Sequence, residues 1–115
     1  MSGDAYNTIK RFWETQDAGD YTATVALFAD DAVLVDPIYG TYEGREAIGA
    51  FMARMNEAMG KIEARFRLVE VAGGERSAWA RWEVTTTNGN RDGVGIYRVS
   101  DGEITFYRDY MDPAS

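Results

Sequence analysis

The sequence predicts an α+β fold, with three N-terminal helices over a curved, mainly antiparallel sheet. Two observations carry this. The apolar period is helical through the first half and changes to two after Gly60. The alternating segments that follow are joined by two tight-turn dipeptides, Asn88-Gly89 and Asp101-Gly102. Helices followed by a strand meander pack as one layer on another, and a curved sheet with helices over its concave face encloses a cone-shaped pocket. The 115 residues are read as one domain, 1–115, long enough to bury a single core.

Residues 4–18 form the first predicted helix. Ile9, Phe12, Trp13 and Gln16 fall at helical spacing, and Gly19 suits the position just past a helix end. A second short helix runs over 20–28, with Ala23, Ala26 and Leu27 on its inner side. Asp30 and Asp31 are read as helix-stop and turn residues, because short carboxylates compete for backbone donors. Residues 32–35 make a short buried strand that delivers Asp36 and ends at Pro37, which has no N–H for a sheet ladder. Residues 38–44 are expected to be a loop. A third helix spans 45–58, with Ile48, Phe51, Met52 and Met55 at core spacing. Strands are then expected over 62–68, 77–87, 91–100 and 103–110, with Gly73-Gly74 turning the chain.

Composition narrows the chemistry. An apolar content of 45% and a charged content of 27% suit a globular protein, and no run approaches membrane-spanning length. The start of the chain lacks the basic and apolar regions of a signal peptide, so the cytoplasm is the expected compartment. A net charge of −7 disfavours nucleic acid and anionic membrane as partners. There is no cysteine and no histidine. That removes disulfides, thiolate or imidazole metal sites and histidine-activated nucleophiles, and leaves Asp or Glu as the first choice of general acid or base. A calcium site from Asp30, Asp31 and Asp36 matches no known loop spacing and is discounted. No metal or cofactor is expected.

The candidate site follows from alternation. Trp79, Arg81 and Glu83 share one strand face, and Ala78, Ala80, Trp82 and Val84 the other. On the last strand Thr105, Tyr107, Asp109 and Met111 lie opposite Phe106, Arg108 and Tyr110. If the charged faces point inward, Arg81, Glu83 and Asp109 meet in an aromatic-lined pocket. Alternation is satisfied equally well if they face solvent or pair across strands. Asp36 is a candidate base or a turn carboxylate accepting backbone N–H bonds. Ala78, Ala80, Trp82, Val84, Phe106 and Tyr110 would then form an apolar outer face, which predicts a homodimer packed sheet to sheet.

Several stretches together resemble the SnoaL-like branch of the NTF2-like superfamily. They are Ala18-Gly-Asp, Leu27-Phe-Ala-Asp-Asp-Ala with Asp36-Pro, Tyr42-Glu-Gly-Arg-Glu-Ala-Ile48, and Asp101-Gly with Tyr107-Arg-Asp-Tyr-Met-Asp112. The resemblance covers nearly the whole chain and implies a cone-shaped NTF2-like barrel with a pocket, often as a homodimer. It leaves function open, because one fold serves many chemistries.

Three kinds of relative give residue-level expectations. Asp36 falls where ketosteroid isomerases carry their proton-shuttling base, but the oxyanion-hole positions of those enzymes match Phe12 and Gly95, so Tyr39 or Tyr97 would have to substitute. Limonene epoxide hydrolases use an Asp-Arg-Asp set, which Arg81, Glu83 and Asp109 resemble, with Glu replacing Asp at 83 and Tyr replacing Trp at 107. Polyketide cyclases of the SnoaL type use an Asp acid/base in a similar pocket. The expectation is a cofactor-independent enzyme acting on a small, largely apolar substrate, with epoxide-hydrolase-like chemistry first and an isomerase or cyclase using Asp36 as the alternative. Asp109 is the expected base, Glu83 the acid and Arg81 the orienting group. Phe12, Tyr39, Phe51, Met55, Trp79, Tyr97 and Tyr107 would line the pocket. The competing class is a non-catalytic binding or dimerisation module.

Overall fold

A computed structural model describes residues 4–111 of the chain. The elements are α1 (Asp4–Asp17), α2 (Tyr21–Val25), β1 (Phe28–Asp36), β2 (Gly40–Glu43), α3 (Arg45–Lys61), β3 (Arg65–Gly73), β4 (Ser77–Thr86), β5 (Gly89–Ser100) and β6 (Glu103–Met111). Six strands form one sheet in the order β2-β1-β6-β5-β4-β3. Every neighbouring pair is antiparallel except β1 and β6, which are parallel. The sheet is curved but not closed, so the expected α+β architecture holds and the barrel remains open at its edges.

Helix α1 lies across the concave face. Its apolar stripe buries Ala5, Ile9, Phe12 and Trp13 against the sheet. Its first turn is fastened by Ala5 N–H to the Glu75 carbonyl and Tyr6 N–H to the Gly74 carbonyl, which satisfies two donors that a helix start leaves unpaired. Gly19 takes φ of +74° just past the helix, as its position suggested. The Asp20 side chain then caps α2 by accepting from Ala23 N–H at 3.1 Å.

Several boundaries differ from expectation; β3, expected over 62–68, spans Arg65–Gly73. α2 ends at Val25 and β1 begins at Phe28, so Asp30 and Asp31 lie within a strand. They sit where the β1–β6 register slips between Phe28 and Val33, and both are exposed. Asp30 is anchored at 2.5 Å to Arg45, whose guanidinium also donates to the Phe28 carbonyl. The loop expected over 38–44 contains β2, whose mostly exposed residues carry no apolar alternation to betray it. α3 continues past Gly60 to Lys61, since one glycine costs a helix only about 1 kcal/mol. The stop falls at Glu63, with φ of +52°.

The faces of β4 are reversed from the expected assignment. Ala78, Ala80, Trp82 and Val84 are buried on the concave side, while Trp79 and Arg81 are exposed and Glu83 is half-buried on the convex side. Small Ala78 and Ala80 leave room for α1, and a charged row could not lie beneath an apolar helix without unpaired charge. Phe106, Arg108 and Tyr110 do face outward, as read from the sequence.

Candidate functional site

Strand register builds the site. Ala80 pairs with Gly95, and Gly95 with Asp109. In the parallel pair Val35 lies opposite Arg108, so the next step sets Asp36 beside Asp109. The concave face therefore carries a transverse row of Ala80, Gly95, Asp109 and Asp36. The neighbouring row holds Ala78, Tyr97, Tyr107 and Leu34. Small residues in the first row leave space for rings of the second. A Cβ at Gly95 would lie 2.7 Å from the Tyr97 hydroxyl and 3.1 Å from Asp109 Oδ1, so the hydroxyl and the carboxylate both sit over this glycine.

Asp109 is held from two sides. Tyr107 Oη donates to Oδ2 at 2.8 Å, and Trp82 Nε1 donates to Oδ1 at 3.3 Å. The Tyr107 ring lies 4.4 Å from that of Tyr97, centroid to centroid, and Trp13 Nε1 donates to Tyr97 Oη at 3.1 Å. Phe12 packs edge-on against Tyr107 at 5.5 Å and tilted against Tyr97 at 5.7 Å, sealing the inner end. Asp109 as a residue is half-buried.

These surroundings set the proton affinities. Burial pushes the Asp109 carboxyl up to about 7; the Tyr107 and Trp82 hydrogen bonds oppose this, and the charge of Asp36 adds to it. Burial first, and then the Asp109 charge, hold both Tyr97 and Tyr107 well above the usual phenol value. Both tyrosines therefore act as neutral hydroxyls at physiological pH. Asp36 has a different setting. Its Oδ1 accepts Ile38 N–H at 2.8 Å and Tyr39 N–H at 2.9 Å, the turn-carboxylate alternative read from the sequence. The site thus places two carboxylates side by side, one fastened to backbone amides and one poised near neutrality.

The expected meeting of Arg81, Glu83 and Asp109 does not occur. Arg81 faces outward and approaches Glu70 at 3.6 Å, and Glu83 pairs with Arg67 on the same convex face. Trp79 is 38% exposed on that face. Tyr39 is exposed at the β1–β2 turn, where its ring touches Phe51 from outside. Phe12, Phe51, Tyr97 and Tyr107 are buried on the concave side, and Met55 packs half-buried against them. Trp82, Trp13 and Gly95 were missed as parts of the site. The available signal was the need of a buried indole N–H for a partner.

The concave interior is filled by these rings. Among the described residues, recesses open elsewhere. One, of about 590 Å³, lies between α2 and α3 and is lined by Val25, Asp30, Arg45 and Gly49 among others. Another, of about 290 Å³, lies on the convex face beside Trp79 and Ile96. Among the described residues no helix is long and apolar enough to cross a membrane.

An open α+β sheet with a carboxylate on its concave face is the arrangement of a small-ligand-binding domain. The family model for the SnoaL-like domain matches residues 9–107, and the chain belongs to that family. No curated protein matches the chain. Among solved structures, an NTF2-like protein of unknown function from Mesorhizobium loti superposes with a TM-score of 0.81 at 24% identity, covering 95% of this chain and 91% of that one. A proposed ketosteroid isomerase from Kribbella flavida gives 0.81 at 18% identity, covering 97% and 80%. A proposed polyketide cyclase from Xanthomonas campestris gives 0.74 at 22% identity, covering 95% and 90%. At these identities the likeness establishes the fold.

Proposed function

We propose that this protein is a cofactor-independent acid/base catalyst acting on a small, largely apolar substrate, with Asp109 as the proton carrier. The observation that carries this is the Asp36–Asp109 pair, whose members have different surroundings on one face of the sheet. A carboxyl near 7 can take a proton from carbon or oxygen and return it at another position. Burial is the chief cause of the high proton affinity of Asp109, and the neighbouring charge of Asp36 adds to it. Such a pair suits isomerisation or ring closure, in which a proton is moved and no water is added. The epoxide-hydrolase alternative needs Arg81 and Glu83 beside Asp109, and their outward placement weighs against it. Met52, Met55 and Met111 are half-buried against the core, and such flexible side chains can adapt to the shape of a ligand.

A screen of Δ5-ketosteroids, polyketide esters and epoxides against the purified protein tests the reading. Turnover of a ketosteroid or polyketide ester that is lost in Asp109→Asn supports it. Turnover of an epoxide that depends on Arg81 and Glu83 overturns it. The packed interior favours a second reading, a ligand-binding module in which the rings part for a guest. Under that reading ligands bind to wild type and to Asp109→Asn alike, with no turnover in either. We place the protein in the cytoplasm as a homodimer, to be tested by cell fractionation and by sedimentation.

A further inference from the structure

We propose that Trp82 is a positioning residue for Asp109, its indole laid across β5 so that Nε1 holds one carboxyl oxygen and fixes the orientation in which the group meets substrate. This rests on the reading of Asp109 as the proton carrier. The bond from Trp82 Nε1 to Oδ1 is 3.3 Å, and Tyr107 Oη donates to Oδ2 at 2.8 Å. With one donor on each oxygen, the carboxyl cannot turn about its bond to Cβ without giving up one of them. The two donors differ in kind. A phenol hydroxyl can donate or accept, whereas an indole N–H can only donate. Tyr107 can therefore follow Asp109 through both protonation states, while Trp82 always favours the ionised carboxylate.

The sheet is shaped to let the indole reach. Trp82 is on β4 and Asp109 on β6, with β5 between them, a span of about 10 Å at the usual strand spacing. Trp82 pairs with Gly93 and Asp109 with Gly95, so the two concave positions of β5 under this bridge carry no side chain. A Cβ at Gly93 would lie 2.5 Å from Trp82 Cζ2, and one at Gly95 would lie 3.1 Å from Asp109 Oδ1. Any larger residue there would push the indole or the carboxylate aside. The indole is buried, and Phe66 of β3 packs against it at 5.9 Å between ring centroids. The titratable groups facing Asp109 are Tyr107 on its own strand, Tyr97 from β5 and Asp36 from β1; β4 offers Trp82, which does not titrate, and α1 brings Phe12 against Tyr107.

The test is an NMR titration of the free protein with two readouts. The first is the Asp109 carboxyl midpoint by carbon-13 in wild type and in Trp82→Phe, which keeps a ring and removes the N–H. The proposal expects the midpoint to rise by about half a pH unit or more in the variant, because a donor to the ionised form is lost. The second is the Trp82 indole N–H resonance in wild type, assigned through its contact with the Gly93 α-protons. It is expected to move downfield as Asp109 ionises, with the same midpoint as the carboxyl. If Trp82→Phe does not fold, the wild-type indole titration decides alone. An indole resonance that stays in place through the Asp109 midpoint would overturn the proposal. So would an unmoved carboxyl midpoint in a folded Trp82→Phe of lowered thermal stability, the result of a purely structural role. No substrate enters these measurements. Their failure is therefore distinct from failure of Asp109 as proton carrier, which is read from turnover in Asp109→Asn.

Discussion

At the residue scale, the protein is organised by what Asp109 costs. Its carboxyl is taken out of water and receives two hydrogen bonds, which do not fully offset the desolvation. The sign of the linkage follows. A folded-state value raised from 3.8 to about 7 means that the folded protein holds this proton more tightly than the unfolded chain. Nothing is lost below about pH 4. Stability falls as pH rises through the interval, and the full cost of roughly 4 kcal/mol is reached above pH 7. Thermal melts of wild type should therefore show a lower Tm at pH 8.5 than at pH 5.5. Asp109→Asn should flatten that dependence while abolishing turnover of any substrate found. A wild-type Tm that rises over this interval, or a variant with the same slope, would contradict the account.

At the element scale, β5 is shaped by its neighbours. Gly93 and Gly95 lie on its concave side beneath Trp82 and Tyr97. A Cβ at Gly93 would meet a Trp82 ring carbon at 2.5 Å and the Tyr110 carbonyl at 2.7 Å, so backbone as well as side chain must move. Gly93→Ala is expected to destabilise the protein by about 1–3 kcal/mol, and Gly95→Ala by a comparable amount with loss of activity as well. Urea unfolding checks the first, and turnover the second. Alternation on β4 was legible in the sequence, but its sense was not, because a tryptophan stands on each face. Only the approach of α1 to Ala78 and Ala80 breaks that symmetry. The parallel pairing of β1 with β6 was equally hidden, since it joins segments some seventy residues apart without a local turn signal. Asp36 and Asp109 could each be singled out as a candidate, but their adjacency could not be read.

At the scale of the whole molecule, the helices cover the concave face and leave the convex face open. That face presents Trp79, Ile96 and Tyr110 at 38%, 41% and 46% exposure, with Val94 and Phe106 between them. Arginines 81, 98 and 108 and acids Glu70, Glu83 and Asp92 are interspersed among them. An apolar patch with mixed charge at its margin is self-complementary in a way that suits a two-fold pair. The expected outer face was right for Phe106 and Tyr110 and wrong for the β4 residues, so the homodimer proposal now rests on Trp79 and Ile96. Sedimentation should show a dimer at tens of micromolar, and Ile96→Glu should convert it to a monomer. A wild-type monomer at that concentration would remove the convex face as an interface.

The central claim is that Asp36 and Asp109 form one coupled pair on the concave face, poised for proton transfer near neutral pH. It is tested most directly by titrating the Asp109 carboxyl by carbon-13 NMR in wild type and in Asp36→Asn. The account predicts a wild-type midpoint near 7 that falls when the Asp36 charge is removed. A midpoint near 4 in wild type, or one that Asp36→Asn leaves unmoved, would contradict it.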